Sequence, residues 1–531
     1  MKDMRDFDGT NMISRRHMLA GGTALAAGAW LMPAASLANG APAFPFPMGV
    51  AAGDPRPDGF VIWTRLALDP LAPDGLGGMT GPVPVRWEVA EDEGMQRPVR
   101  RGSTMAGSAL AHSVHVELEG LEPGRQYFYR FHALDGTSET GRARTAPAAD
   151  AAVDRLRFAF ASCSHWEEGY FTAYRRMAEE DPDFVIFLGD YIYEYNNKGD
   201  HLAQCVRRHP IPEATDLAGY RRRYALYKQD PHLRALHAAA ACLMTWDDHE
   251  VQNDYADAIS QDPSVPPDQF LQRRAAAYQA YYEHMPLRRR SRPHGPDMRI
   301  YDRYRFGRLM EMPVLDGRQY RNAEACPLPS RRGGHVVSLA CTERDDPKRT
   351  MLGKAQEDWL FDGFRRSTAQ WNVVAQDLLI AALVQKGSDG TVGHWTDGWD
   401  GYPACRTRML DAVRSSNLSN PVFLGGDIHS FWTTDLKSDF DDPASATVAT
   451  EFVGGSISAN APPYEVFAAL LPQNPDVRYF ESRCHGYVSI DLTPQRMITR
   501  FRAVDRASDG APASTFRSFV VEDGRIGAHD A

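Results

Sequence analysis

A thiol, a carboxylate and a phenol follow short apolar runs in one stretch of the sequence. Cys163 comes after the apolar residues 158–161, Asp190 comes after 184–188, and Tyr193 lies three residues beyond Asp190. A thiolate, a carboxylate and a phenolate in one crevice form a hard-metal site with one softer ligand. This donor set suits ferric iron better than zinc. The stretch therefore predicts a metal site.

A third apolar run, 239–246, ends in Asp247, Asp248 and His249, with Asn253 shortly after. A carboxylate beside a histidine can orient the histidine, bind a metal or do both, and the Asn253 side chain can add a carbonyl oxygen. A helix N-cap with acidic first-turn residues would explain Asp247 and Asp248 equally well, but it would leave His249 without a role.

A fourth run starts at Pro421 and leads through Gly425 and Gly426 to Asp427 and His429. The two glycines allow a close approach of the backbone. Residues i and i+2 of an extended segment face the same way, so both Asp427 and His429 are expected to point at one metal.

These residues must be positioned by a sheet. Within residues 157–195 the apolar spacing changes from strand-like to helical and back, which indicates a βαβ unit with parallel strands and a right-handed crossover. The carboxyl ends of parallel strands meet at one edge of the sheet, where ligands bind in open α/β folds. Cys163 and Asp190 are therefore predicted to meet there, and the later strand ends are predicted to join them.

Composition limits the class of function. The chain has 531 residues, of which 43% are hydrophobic and 24% charged, with a net charge of −10. Such a chain is globular, and its acidic balance argues against sequence-independent binding of nucleic acid, since the one basic block, residues 288–292, is equally typical of a solvated loop. An anionic substrate would need local positive charge from metals or arginines.

The first residues are predicted to be a targeting segment. Arg15 and Arg16 precede a weakly apolar, Gly/Ala-rich stretch that ends in small residues at 36–38. This pattern predicts a twin-arginine signal over 1–38, which would engage the Tat export machinery and direct the protein to the periplasm or outside the cell. The alternative is an amphipathic first helix. No run approaches the roughly 20 apolar residues of a membrane span.

Seven cysteines leave six if Cys163 is a metal ligand. Cys326 and Cys341 flank a polar loop and are the first pair to test as a disulfide. The alternative is that several of the six are free buried thiols.

Domain boundaries follow from the change in pattern. Residues 44–147 hold short alternating runs between Asp/Pro/Gly turns, which predict a small β-sandwich resembling fibronectin type III. An Ala- and Pro-rich stretch separates it from an α/β domain over 155–505. Residues 506–531, rich in Gly, Ala and Asp, are predicted to be a loose C-terminal tail.

Four segments together resemble a known family. They are Gly-Asp-Tyr-Ile-Tyr at 189–193, Trp-Asp-Asp-His-Glu at 246–250, Leu-Asp-Gly-Arg-Gln-Tyr-Arg at 315–321 and Gly-Asp-Ile-His at 426–429. With the export signal and the sandwich, they are similar to the alkaline phosphatase D (PhoD-type) family of calcineurin-like metallophosphoesterases, which is related to purple acid phosphatases. The resemblance implies a four-layer αββα sandwich, Fe³⁺ and Ca²⁺ cofactors, and hydrolysis of phosphomonoesters and phosphodiesters.

The resemblance also assigns roles to residues. Cys163, Asp190, Tyr193 and His429 match iron ligands, with Asp190 bridging to calcium. Asn253 and Asp427 match calcium ligands, whereas Asp248 stands where related enzymes place a metal-ligating Asn. Gly317 departs from the Thr or Ser expected there, and the helix that covers the active site in this family is not evident.

The remaining candidates concern the substrate. A phosphate ester repels anions, so catalysis requires cations and a proton for the leaving oxygen. His249 is the candidate proton donor. Arg318 and Arg321 are candidates for bidentate contact with phosphate, with salt bridges as the alternative.

Two other functions stay open at this stage. One is a phosphodiesterase or phospholipase D-type metallohydrolase with a narrower substrate range. The other, from a different class, is a calcium-binding adhesion protein, which would not need a thiolate, a phenolate and a histidine at converging strand ends. The sequence predicts neither the physiological substrate nor the oligomeric state.

Overall fold

The structure is a computed structural model that describes residues 44–442 and 444–531. The predicted twin-arginine signal over residues 1–38 lies outside the described residues. In the described part, no helix combines the length and the apolar character needed to cross a membrane.

The N-terminal part is built from strands. They are β1 (Val50–Arg56), β2 (Gly59–Arg65), β3 (Val83–Ala90), β4 (Pro98–Ala106), β5 (Ser113–Glu117), β6 (Gln126–Ala133), β7 (Gly136–Thr137) and β8 (Gly141–Arg144).

The rest of the chain alternates strands and helices. The strands are β9 (Leu156–Ala161), β10 (Phe184–Leu188), β11 (Ala241–Thr245), β12 (Asp302–Phe306), β13 (Met310–Val314), β14 (Val336–Val337), β15 (Trp371–Ala375), β16 (Gln385–Lys386), β17 (Val392–Trp395), β18 (Pro421–Gly425), β19 (Phe431–Lys437), β20 (Thr447–Val453), β21 (Val477–Glu481), β22 (Gly486–Leu492), β23 (Arg496–Val504), β24 (Ala513–Glu522) and β25 (His529–Asp530). The α-helices are α1 (Thr172–Glu179), α2 (Leu217–Lys228), α3 (Pro231–Ala239), α4 (Pro267–His284), α5 (Gly353–Arg366), α6 (Pro403–Ser415) and α7 (Tyr464–Ala468).

A ten-stranded sheet carries the predicted βαβ unit at its centre. Its order is β25-β24-β23-β22-β9-β10-β11-β1-β2-β5. β9, β10 and β11 are parallel neighbours, with Phe184 opposite both Phe158 and Ala241. All five residues of β10 are buried, as is typical of a parallel strand covered on both faces. The predicted strand, helix, strand order of this unit is confirmed.

A second sheet of seven strands, in the order β12-β13-β15-β18-β20-β19-β21, faces the first. Apolar side chains from both sheets, such as Phe158, Ile186 and Val373, form one buried cluster between them. Helices α1 to α4 pack on the outer face of the first sheet, and α5 to α7 pack on the outer face of the second. The layers are therefore helix, sheet, sheet, helix, which confirms the predicted αββα sandwich.

The predicted N-terminal sandwich is continuous with this core. β3, β4, β6, β7 and β8 form one sheet, and a buried cluster that includes Phe60 and Tyr129 packs it against β1 and β2. β1 in turn pairs in parallel with β11, with Ala52 opposite Ala241. One layer of the sandwich is thus an extension of the ten-stranded sheet, and residues 44–531 form one compact unit.

The C-terminal residues differ from the prediction. Residues 506–531 were expected to form a loose tail, but β24 pairs along its length with β23, and Phe519 and Val521 lie in the core between the sheets. The prediction of a tail is wrong for Ala513–Glu522, because its composition concealed alternating apolar residues that pack on the sheet.

One disulfide closes a loop. Cys326 and Cys341 are bonded, which confirms the pair chosen from the sequence. The other described cysteines are free, and Cys163, Cys242 and Cys405 among them are buried.

Candidate metal centre

Four strand ends deliver the predicted ligands to one place. β9 leads to Cys163, β10 to Asp190, β11 to Asp248 and β18, in the second sheet, to Asp427. The loops after β9 and β10 are joined by two backbone hydrogen bonds, from Cys163 N to Gly189 O at 3.3 Å and from Ser164 N to Asp190 O at 2.9 Å. The carboxyl edges of the two facing sheets therefore form the site.

The backbone is strained at these ligands. Cys163, Asp190, Asp427 and His429 have φ values of 63°, 52°, 64° and 55°, in the left-handed region that non-glycine residues rarely adopt. Gly189 precedes one of them at φ 92°, and a Cβ there would lie 2.5 Å from the backbone nitrogen of Asp247. Strain of this kind concentrates at functional sites, where it orients side chains.

The turn at Asp427 and His429 corrects one inference. An extended segment was expected to aim both side chains at one metal. Instead, Ile428 N donates to Gly426 O at 2.8 Å, and the positive φ values turn the chain sharply. Asp427 and His429 consequently belong to different groups of potential metal ligands, both of which include Asp190.

The first group combines different donors. One ligand atom each of Cys163, Asp190 and His429 lies within 4.8 Å of the other two. Tyr193 joins them, because its hydroxyl lies 2.8 Å from Asp190 Oδ2 and 3.0 Å from His429 Nε2. The thiol, phenol, imidazole and carboxylate predicted to bind iron thus meet in one cluster, in which only His429 is partly exposed.

Carboxylates dominate the neighbouring groups. Asp190 is also grouped with Asp248 and His249, and with Asp247 and Asp427. Within the described residues, Asp190 Oδ1, Asp247 Oδ2 and Asp248 Oδ1 are buried and have no hydrogen-bond partner. Buried carboxylate oxygens without donors are costly unless a cation compensates them. These residues therefore fit a bound metal ion, and Asp190 is common to all three groups.

Burial and mutual repulsion perturb the acids. Burial raises the pKa of Asp248 to about 7, and burial with the nearby carboxylates raises the pKa of Asp427 well above its usual value. Burial also raises the pKa of the Cys163 thiol and of the Tyr193 phenol. Burial acts in the same direction on Asp190, but the nearby His249 and His429 lower its pKa to about 2. Among Asp190, Asp248 and Asp427, Asp190 thus has the lowest pKa and holds its negative charge most strongly.

Comparison with known proteins shows the family to which the chain belongs and supports its fold. Residues 158–501 match the PhoD-like phosphatase family, and residues 32–147 match the N-terminal domain of PhoD-like phosphatases. The chain belongs to the PhoD-like phosphatase family. It is 45% identical to alkaline phosphatase D of Bacillus subtilis (strain 168) over 498 residues, which is 92% of this chain and 83% of that protein. A solved structure described as "Structure of PhoD" matches with a TM-score of 0.84 and 43% identity, covering 93% of each chain.

Family membership confirms two predictions. The chain is a phosphoric ester hydrolase of this family, and the family resemblance inferred from the four segments is correct. The alternative of a calcium-binding adhesion protein has no such support, and one layer of the sandwich thought to be its working part is an extension of the enzyme's ten-stranded sheet.

His249 is held beside the carboxylates. Its Nδ1 lies 2.7 Å from Glu194 Oε2, and its Nε2 lies 3.9 Å from Asp248 Oδ1. Its ring packs on that of Tyr193, with 4.2 Å between centroids. Burial opposes the charge, but Asp248, Glu194 and Asp190 raise the pKa of His249 to about 10. Glu194 lies within the Gly-Asp-Tyr-Ile-Tyr-Glu run, but no sequence pattern indicated its contact with His249, 55 positions away.

Asn253 lies near this pair. Its backbone N–H donates to Glu194 Oε1 at 3.1 Å, and its side-chain Nδ2 donates to Gln261 Oε1 at 3.2 Å. The amide oxygen predicted to bind calcium is thereby oriented by Gln261, and its role stays a prediction.

Arg318 and Arg321 are enclosed by protein carboxylates. Arg318 is fully buried; its Nη1 donates to both oxygens of Asp397 at 2.9 Å, and its Nε contacts Asp247. Arg321 Nη2 donates to Asp397 Oδ1 at 2.5 Å and to Glu324 at 2.9 Å. These contacts agree with the salt-bridge alternative for both arginines.

Sequence reasoning missed a fourth acidic group. Asp248, Asp254 and Asp397 place one ligand atom each within 4.8 Å of the others. Asp254 N donates to Asp248 Oδ2 at 2.6 Å, and Asp254 Oδ2 accepts from Gly334 N at 3.1 Å. Asp397 follows β17 in a loop without a regular pattern, so spacing gave no signal for it.

Proposed function

We propose that this protein is an exported alkaline phosphatase that hydrolyses phosphomonoesters and phosphodiesters at a centre in which Asp190 joins an Fe³⁺ site to a Ca²⁺ site. The observation that carries the proposal is the position of Asp190. It is shared by one group of mixed thiol, phenol and imidazole donors and by two groups rich in carboxylates.

The candidate metal ligands fall into two sets according to their donor atoms. Cys163, Tyr193 and His429 would hold the iron, because thiolate, phenolate and imidazole suit a transition metal. Asp427, Asp248 and the amide oxygen of Asn253 would hold the calcium, which prefers oxygen ligands. When bound, such ions supply the positive charge that attracts a phosphate ester and the acidity that activates water.

The protein's own residues would then supply the proton for the leaving oxygen. Glu194 accepts a hydrogen bond from His249 Nδ1, which leaves Nε2 directed toward the carboxylates that border the site. A histidine held in this way can donate the Nε2 proton to the departing oxygen of the ester. Glu194 fixes the orientation of the ring and stabilises the imidazolium.

The similarity to alkaline phosphatase D of Bacillus subtilis supports an alkaline phosphatase, since the two proteins are 45% identical over most of the chain. The extension to diesters rests on the resemblance of the motif segments. Hydrolysis of p-nitrophenyl phosphate and of bis(p-nitrophenyl) phosphate by the metal-loaded protein, with and without Ca²⁺, tests both activities. Failure of both substrates would contradict the proposal, and turnover of the diester alone would favour the narrower phosphodiesterase.

The role of His249 has its own test. His249→Gln should slow an alkyl phosphate, whose leaving oxygen needs a proton, by about 10²- to 10⁴-fold. It should slow p-nitrophenyl phosphate much less, because p-nitrophenolate leaves without protonation. Equal losses on the two substrates would refute proton donation.

Export by the twin-arginine route is part of the proposal and is supported by Arg15 and Arg16 before the Gly/Ala-rich stretch. This route carries folded proteins and so fits an enzyme loaded with metal beforehand. Changing both arginines to lysine should retain the enzyme in the cytoplasm, as followed by fractionation; unchanged export would contradict the assignment.

A further inference from the structure

The orientation of His429 depends on a backbone carbonyl. His429 Nδ1 lies 2.7 Å from the backbone oxygen of Asn460. A carbonyl oxygen can only accept, so Nδ1 carries the proton and Nε2 presents a lone pair. That Nε2 atom lies 3.0 Å from the Tyr193 hydroxyl and 3.9 Å from Asp190 Oδ2, on the side of the metal ligands. The position of Asn460 therefore fixes both the tautomer and the direction of a proposed iron ligand.

Asn460 lies in a segment between β20 and α7 that has no regular secondary structure. Its backbone N donates to Glu168 Oε2 at 2.6 Å. The preceding residues are tied to a second ligand, because Ser458 N and Ala459 N donate to the backbone oxygen of Cys163 at 3.3 and 3.2 Å. The segment consequently connects the loops of Cys163 and His429.

Arg506 holds this segment from the other side. Its Nη2 donates to Asn460 Oδ1 at 2.6 Å, and its Nη1 contacts the backbone oxygen of Ser458. Arg506 itself is anchored, since its backbone oxygen accepts from Tyr170 N at 2.7 Å. Gly169 permits the close approach, because a Cβ there would lie 2.9 Å from Arg506 Cβ.

We propose that Arg506 is a positioning residue for His429 that acts through Asn460. The planar guanidinium bridges two acceptors two residues apart, which fixes the Asn460 carbonyl and hence the imidazole ring. The inference extends the proposed function, since it takes His429 to be an iron ligand.

The variants should separate positioning from general stability. Arg506→Ala removes both contacts, Arg506→Lys keeps the charge but can satisfy one acceptor at a time, and Asn460→Ala keeps the carbonyl while losing the link. Arg500→Ala is the matched control, because Arg500 lies on the adjoining strand and pairs with Asp491 at 2.7 Å. The segment should stay folded in each variant, since its hydrogen bonds to the Cys163 carbonyl remain.

Iron affinity and the visible phenolate-to-iron absorption are measured for each protein. The direct partner of His429 is the Asn460 carbonyl, and loss of such a partner typically weakens metal affinity about 10- to 100-fold. Because Arg506→Ala displaces this carbonyl without removing it, we expect a loss of up to about 10-fold and a shifted absorption in Arg506→Ala, a smaller loss in Arg506→Lys, and wild-type behaviour in Arg500→Ala. Wild-type affinity and an unchanged spectrum in Arg506→Ala would overturn the inference.

A second measurement uses metal-free protein, so that it does not depend on the proposed metals. Amide hydrogen exchange over residues 455–463 should be faster in Arg506→Ala and Asn460→Ala than in wild type and Arg500→Ala. Unchanged exchange would overturn the positioning role. If wild type takes up no iron but exchange responds as expected, the proposed function fails while the hold of Arg506 on Asn460 stands.

Discussion

Replacement of Arg318 tests whether this residue serves the substrate or the protein. The guanidinium is fully buried and contacts Asp397 and Asp247. Burial acts to raise the pKa of Asp397, but Arg318 and Arg321 lower it below the ordinary range. Arg318→Met would leave two buried carboxylates with less compensation, and removing one partner of a buried ion pair costs about 3–5 kcal/mol.

Arg318→Lys should be intermediate. The ammonium keeps the charge but cannot match the fork that donates to both oxygens of Asp397 while contacting Asp247. We expect a loss of about 1–3 kcal/mol, the cost of leaving one buried acceptor unsatisfied. In this variant the activity per metal-loaded molecule should change through kcat, because the carboxylates shift, with KM altered little.

Urea denaturation followed by circular dichroism gives the free energy of unfolding, and steady-state kinetics on p-nitrophenyl phosphate gives KM and kcat separately. Arg496→Met is a suitable control, because Arg496 is exposed at the start of β23. A stable Arg318→Met protein with a large rise in KM would refute this reasoning. It would restore the sequence-based hypothesis that Arg318 binds the phosphate.

Three further predictions concern other parts of the chain. Cys163→Ala should remove the iron and the colour of a Tyr193 phenolate complex while the protein stays folded; iron retained by elemental analysis would contradict the assignment. Burial lowers the pKa of Lys228 from 10.5 to about 7, so the unfolded chain binds more protons between these values and stability should rise with pH across them. The shift corresponds to about 5 kcal/mol of stability across this pH range. The urea midpoint should therefore rise with pH in wild type and much less in Lys228→Met, and an equal dependence on pH in both proteins would contradict the prediction. Replacing Cys326 and Cys341 with serine should lower the free energy of unfolding by about 3 kcal/mol, and adding reductant to wild type should have the same effect. Unchanged urea midpoints would contradict a stabilising disulfide.

The strand ends that carry the candidate metal ligands could be predicted from the sequence because their signal is local. Each of the strands before Cys163, Asp190 and Asp248 is a short apolar run that ends in polar residues, and parallel strands bring such ends to one edge. The family resemblance supplied what periodicity could not, namely the separation of Asp427 and His429 into different groups. Spacing alone placed them together, because it assumed an extended chain.

The site residues that sequence patterns did not reveal contact partners that are distant in the sequence. Asp397 meets Arg318 across 79 positions, and Glu194 meets His249 across 55. Neither lies in a periodic element whose direction could be inferred. The pairing of β1 with β11 is equally non-local. The strands of the sandwich could therefore be predicted from the sequence, but the joining of one of its layers to the larger sheet could not.

The unfavourable backbone conformations of the candidate ligands must be stabilised by the surrounding protein. A non-glycine residue in a sparsely populated backbone region costs about 1–3 kcal/mol, and Cys163, Asp190, Asp427 and His429 all lie in the left-handed region. Glu250 helps to offset this cost, because its carboxylate accepts the N–H groups of Asp190, Tyr191 and Asp247 at 3.1, 2.5 and 2.9 Å.

These bonds join the loop after β10 to the loop after β11, and the buried core between the sheets keeps both strands in register. Contacts within the protein therefore support the backbone conformation of Asp190 and its neighbours. It follows that Glu250→Gln, which replaces one accepting oxygen with an N–H donor facing a backbone N–H, should weaken metal binding at the proposed centre, although Glu250 belongs to none of the groups of potential metal ligands.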